Sequence, residues 1–186
     1  MPGLELTNLL ASYGTVVLVL GCFGLLLAIA LPSLVPAWKE RLFSSYGLWL
    51  AFLLAAAASA VTLYYSEVLG QAPCALCWVQ RVFLYPQVVI LLIAAIIRDQ
   101  RAALYSIALS ALGALVALYH HYIQMGGLDF LPCPASGNPI DCAEPTFVMW
   151  GFVTFPFMSF ALFLFLILLM VYLRTIWRKF HTGGGA

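Results

Sequence analysis

Residues 73–98 read PCALCWVQRVFLYPQVVILLIAAIIR, and this stretch decides the architecture. From Trp78 to Ile97 the chain is one long apolar run. A bilayer core about 30 Å thick needs roughly 20 such residues in one helix. In lipid only a helix or a closed barrel satisfies the backbone. The run opens on Cys74-Ala75-Leu76-Cys77 and closes on Arg98. It therefore predicts a membrane helix with a cysteine pair at one end and positive charge at the other.

The rest of the chain repeats the pattern. Apolar runs also cover about Tyr13–Pro36, Tyr46–Tyr65, Ala102–Ile123 and Phe147–Leu173. Of the 186 residues, 65% are hydrophobic and only 8% charged, with a mean hydropathy of +1.04. A soluble domain carries about 25% charged residues. Lys and Arg number 8 against 7 Asp and Glu, so no basic surface for nucleic acid exists. The composition excludes a soluble globule, a disordered chain and a nucleic-acid binder. The expectation is one all-α membrane domain over 1–186, spanning five times. Ala55, Ala56, Ala57, Ala58 and Ala60 in the second run suit close helix contact. Pro86 and Pro156 fall inside runs and are expected to kink them.

Charge gives the direction. Lys39, Arg41, Arg98, Arg101, Arg174, Arg178 and Lys179 all fall on one side if there are five spans. By the positive-inside rule that side is the cytoplasm. The N-terminus is then outside and the C-terminus inside. Glu5, Glu67, Asp129, Asp141 and Glu144 fall outside. The first run is read as a retained helix. No positive region precedes it, and its apolar stretch exceeds a signal-peptide core of about 7–15 residues.

On this topology Cys74, Cys77, Cys133 and Cys142 all face the outside, where disulfides persist. Cys22 lies within the first run and reads as a small core residue. A Cys133–Cys142 staple would close a short loop worth roughly 3 kcal/mol. The C-x-x-C spacing of Cys74 and Cys77 constrains little chain and points to redox exchange. A four-cysteine zinc site is disfavoured, because the second pair lacks the tight spacing. No metal is therefore expected.

Cys77 and Arg81 are one helical turn apart. Cys77 also lies in the first turn, where the positive helix end and the guanidinium favour a thiolate. An arginine inside the membrane edge costs roughly 2.5–3.5 kcal/mol at the bilayer centre, and less near the edge. Snorkelling to the surface is the bland explanation. Beside a C-x-x-C, Arg81 suits hydrogen bonding to the carbonyl of a lipid-soluble electron acceptor. Gln80, His120, His121 and Gln124 gather at the same edge. Adjacent histidines on a helix cannot both face one iron, which argues against haem. A proton relay to the reduced acceptor suits one of them.

These residues resemble a known family. Leu63-Tyr64-x-Ser66-Glu67, Pro73-Cys74-Ala75-Leu76-Cys77-Trp78-Val79-Gln80-Arg81 and Tyr85-Pro86 are similar to the disulfide-bond formation protein B (DsbB) family, and most of all to its BdbC-type members. His121-Tyr122 with Gln124, Pro132-Cys133 with Gly137 and Cys142, and Trp150–Phe157 extend the likeness. The resemblance implies a four-helix core, about 46–173, and a thiol:quinone oxidoreductase of the bacterial inner membrane. It implies that Cys133 and Cys142 exchange with a DsbA-like, thioredoxin-fold oxidase. Cys74 and Cys77 then take the electrons, with Cys77 facing ubiquinone or menaquinone. Arg81, Gln80, His120 and His121 would line the quinone site.

Two features depart from the pattern. The helix at about 13–36 is additional, and only eight residues separate Cys133 from Cys142. One rival is a vitamin K epoxide reductase-like protein, in which the C-x-x-C follows the loop cysteines. The other is a non-catalytic membrane scaffold or small transporter with stapled loops. A transporter needs polar groups near the midplane, and the runs are read as almost free of them.

Overall fold

The computed structural model describes residues 2–128 and 141–182. Among the described residues there are five α-helices: α1 (Pro2–Ala30), α2 (Ala37–Leu63), α3 (Ala75–Ile97), α4 (Ala102–Gln124) and α5 (Phe155–Thr182). All five are long and apolar enough to cross a membrane. The all-α reading holds, and there are no strands among the described residues. One isolated bridge, Met149 with Val153, closes a tight turn through Trp150 and Gly151, both at positive φ.

Helices α2, α3, α4 and α5 pack around a common core, and α1 docks against α5. The link from Arg98 to Arg101 is short, so α3 and α4 are antiparallel neighbours. Arg98 takes a left-handed cap, and the Asp99 carboxylate accepts from Arg101 N at 2.9 Å. The buried face of α4 is a stripe of small residues, including Ala103, Ser106, Ser110, Gly113 and Ala117. Such a stripe lets backbones approach where lipid gives no hydrophobic driving force. The Phe163 ring of α5 lies over Gly113, so closely that a Cβ there would meet it at 2.5 Å. In α2 the alanine run buries one face only, through Ala51, Ala55 and Ser59.

Helix α1 runs parallel to α5. Tyr13 packs edge-on against Trp150 with ring centres 5.5 Å apart. Further along, Cys22 Sγ lies 4.0 Å from the Ala161 carbonyl, and Gly21 sits beside Phe165. Asn8 and Tyr65 join the same end of α1 and α2 through a 2.6 Å bond from the phenol to Asn8 Oδ1. At the opposite end, Lys179 and Glu40 form an ion pair at 2.8 Å.

Several boundaries differ from the sequence reading, and α2 begins at Ala37 rather than near Tyr46. The first helix starts earlier and stops at Ala30, because Pro32 opens a separate 3₁₀ turn. The fifth begins at Phe155, since the tight turn at 149–153 precedes it, and it continues past Arg174. Pro156 therefore sits in a first turn, where a missing N–H costs nothing, and does not kink the helix. Pro86 is the one proline inside a described helix interior.

Candidate active site

Helix α3 begins where Pro73 and the extended backbone of Cys74 break regular pairing. Cys74 is the N-cap, and its sulfur accepts from Cys77 N at 3.3 Å. That cap turns both sulfurs to one side, with Sγ atoms 2.8 Å apart. Both are free thiols; Cys74 is buried and Cys77 half-buried.

Arg81 does not snorkel. It is buried, at 7% exposure, against the end of α2. There the helix widens into a π turn, Tyr64–Val68. Such turns are frequent at functional sites. Where the ladder changes, the Thr62 carbonyl accepts from Arg81 Nη2 at 2.9 Å, and Ser66 Oγ accepts from Nη1 at 3.3 Å. The guanidinium carbon lies 5.1 Å from the centre of the Trp78 ring. Two of the five guanidinium donors are thus engaged by α2.

His120 on α4 is fully buried and joins the parts. Its Nδ1 lies 2.9 Å from Gln80 Nε2, which can only donate. Nε2 then carries the proton. It faces the Cys142 carbonyl at 3.2 Å and Cys74 Sγ at 3.7 Å. Gln124 Nε2 also bonds the Cys142 carbonyl, at 3.4 Å, while its Oε1 has no partner. Turning that amide over would aim Oε1 at the imidazole N–H.

Cys142 is buried and disulfide-bonded. It packs with Cys74 and Ile123, and Cys77 and Tyr119 border them. The hydrogen bond from the Cys77 thiol, reinforced by His120, holds the Cys74 thiol below its ordinary range despite burial.

The structure thus brings Cys74, Cys77, Gln80, His120 and Cys142 together, with Arg81 one turn deeper. His121 points elsewhere: its Nδ1 lies 3.0 Å from Thr154 Oγ1, and its ring leans on Phe157. The two histidines diverge as their adjacent positions require. Cys133 lies outside the described residues. Thr62 went unnoticed in the sequence, because a backbone carbonyl leaves no residue signature. Ser66 stood within the resembling motif without an assigned role. The expected absence of midplane polar groups is incomplete. Buried Gln87 accepts from Ser106 at 2.7 Å and Ser110 at 3.2 Å through Oε1. The two serine bonds join α3 to α4, and Gln87 Nε2 donates to the Phe83 carbonyl within α3, which suits packing.

The family model for disulfide bond formation protein DsbB matches residues 44–173. The chain belongs to the DsbB family. Among relatives, it is 43% identical to the probable disulfide formation protein C of Halalkalibacterium halodurans over 119 residues. That is 63% of this chain and 82% of the relative. It is 35% identical to the disulfide bond formation protein C of Bacillus subtilis over 138 residues, 73% of this chain and 96% of the relative. No solved structure matches the chain. As a DsbB-family member with five apolar helices, it is a multi-pass membrane protein of disulfide formation, and hence a thiol oxidoreductase. The matched stretch includes every residue of the thiol site and excludes α1.

Proposed function

We propose that this DsbB-family protein is a thiol:quinone oxidoreductase of the bacterial inner membrane, with its cysteine end outside the cytoplasm. The observation that carries the reading is the buried contact of Cys74 with Cys142, beside His120. It supplies a route for thiol–disulfide exchange between two cysteine pairs.

The relay balances as follows. The dithiol of a DsbA-like oxidase attacks the Cys133–Cys142 disulfide, leaving with a disulfide and donating two electrons and two protons. The resulting Cys133 and Cys142 thiols reduce a Cys74–Cys77 disulfide by the same exchange. The Cys74–Cys77 dithiol then closes to a disulfide and releases two electrons and two protons. A bound quinone, ubiquinone or menaquinone, supplies the acceptor and leaves as the quinol. DsbA-type oxidants sit near about −120 mV, so a strong acceptor is required.

The residues fit a quinone. Cys77 is partly exposed, whereas Cys74 is buried. Arg81 keeps donors beyond the two that bind Thr62 and Ser66, and these suit a ring carbonyl. Trp78, half-exposed beside the guanidinium, offers a flat apolar face. His120, held by Gln80, is placed to move a proton at Nε2 next to Cys74. His121 would act only at the rim. Two cavities against α1, one beside Cys22 and one beside Lys39, lack both the thiol pair and Arg81 and are not this site.

The test is trapping. Wild-type protein, with its Cys133–Cys142 disulfide intact, is mixed with a reduced thioredoxin-fold oxidase that keeps its nucleophilic cysteine but carries serine at its resolving cysteine. The oxidase thiolate attacks that disulfide, one of Cys133 and Cys142 is captured and the other leaves as a thiol, so a mixed disulfide should accumulate. If none accumulates, and wild type does not reoxidise the unaltered oxidase, the exchange reading fails.

A further inference from the structure

Cys74 Sγ, Cys77 Sγ and a His120 ring nitrogen lie within 4.8 Å of one another. This set is not the four-cysteine arrangement that the sequence disfavours: the third donor comes from α4. We propose that the reduced site binds one thiophilic divalent cation, of the Zn²⁺ class, through Cys74, Cys77 and His120. The inference rests on the reading of Cys74–Cys77 as a pair that becomes reduced during turnover.

The geometry is close to a tetrahedral centre. Zn–S of about 2.3 Å and Zn–N of about 2.0–2.1 Å place S and N about 3.6 Å apart, and two sulfurs about 3.8 Å apart. Cys74 Sγ and His120 Nε2 are already 3.7 Å apart. The sulfurs, at 2.8 Å, must open by about 1 Å. Cys77 is the less buried of the two, so the opening is assigned to its side chain.

The imidazole is also prepared for either role. A metal-ligating histidine donates its other N–H to an acceptor. Gln80 faces Nδ1 and carries both an amide N–H₂ and a carbonyl. With Nε2 of Gln80 inward, His120 is protonated at Nε2 and faces Cys74 and Cys142 as a donor. With Oε1 inward, the proton moves to Nδ1 and frees the Nε2 lone pair for a metal. Three protein donors leave a fourth position, which the Cys142 carbonyl or water can fill.

Binding needs both sulfurs as thiolates, so it displaces the thiol protons still held and transfers no electrons. Oxidation of Cys74–Cys77 removes both sulfur ligands. The cation therefore competes with disulfide exchange and arrests only the reduced enzyme.

The test uses the full chain in detergent, carrying Cys133→Ser and Cys142→Ser so that the second pair contributes no thiol. Zn²⁺ affinity is read by competition with a chromogenic chelator, and Cd²⁺ by its thiolate absorption band. The reduced protein is expected to bind one Zn²⁺, and the oxidised protein none. Cys77→Ser should abolish the site. His120→Ala should weaken it at least about tenfold, and His120→Cys should restore it. Equal affinity with and without His120, or no binding by reduced protein, overturns the proposal. The readout needs neither partner nor quinone. A chain that binds Zn²⁺ but reduces no quinone keeps this site and loses the proposed function.

Discussion

Cys74 at the start of α3 and His120 on α4, 46 residues apart, face each other across 3.7 Å, both buried, with Cys142 packed beside them. The Cys74 thiol is held below its ordinary value of 9.0, first by the Cys77 thiol and then by His120. The reduced pair should therefore be alkylated at lower pH than an ordinary thiol. His120→Ala should move that profile upward by about 1 pH unit. A depressed thiol stabilises the fold of the reduced form fully above its unfolded value, and that stabilisation fades as pH falls toward the folded value. Unfolding midpoints of reduced protein should accordingly rise with pH through the neutral range. A flat profile in wild type contradicts the assignment.

Arg81 offers a second measurement. Its two bonds to Thr62 and Ser66 use the guanidinium fork, which an ammonium cannot reproduce. Arg81→Lys should keep the fold and raise the quinone KM by about 10-fold to 100-fold, equivalent to roughly 1.4–2.8 kcal/mol. Steady-state quinone titration checks it. An unchanged KM removes Arg81 from the site.

Helix α1 lies outside the family match, yet Asn8 accepts from Tyr65 on the π turn that also carries Ser66. Loss of that bond should loosen the turn that holds Arg81. Tyr65→Phe should cost about 1 kcal/mol of stability and raise the quinone KM several-fold, with kcat less affected. A change in stability alone would confine α1 to packing.

Packing makes its own prediction. Phe163 is fully buried over Gly113, and a Cβ there would meet its ring at 2.5 Å. Gly113→Ala should overpack α4 against α5 and destabilise by about 1–3 kcal/mol. Gln87→Leu should cost less, about 1 kcal/mol, since interhelical hydrogen bonds in membranes average roughly 0.6 kcal/mol each. Thermal unfolding in detergent ranks the two.

Much of this was legible in the sequence, because lipid allows so few solutions. Apolar runs of about 20 residues predict helices, and both cysteine elements of the site fall at loop ends or in loops. The one-turn spacing of Cys77 and Arg81 on α3 was legible, but the turn of the guanidinium toward Thr62 and Ser66 was not. Boundaries were harder. Phe147–Thr154 are apolar enough to extend α5, yet they form a turn that Gly151 permits. What stayed hidden depends on tertiary approach. The Thr62 carbonyl, the Asn8–Tyr65 bond and the choice of His120 over His121 are set by which helix faces meet. Glu40 also gave no signal, because its partner Lys179 is 139 residues away.

In the proposed relay, Cys77 delivers electrons to a quinone. The most direct measurement is the absorbance of quinone during turnover by purified protein with a reduced DsbA-like oxidase, comparing wild type with Cys77→Ser. Wild type should reduce the quinone and the variant should not. Equal rates in both, with partner and quinone verified, would contradict it and leave the cysteines as structural links.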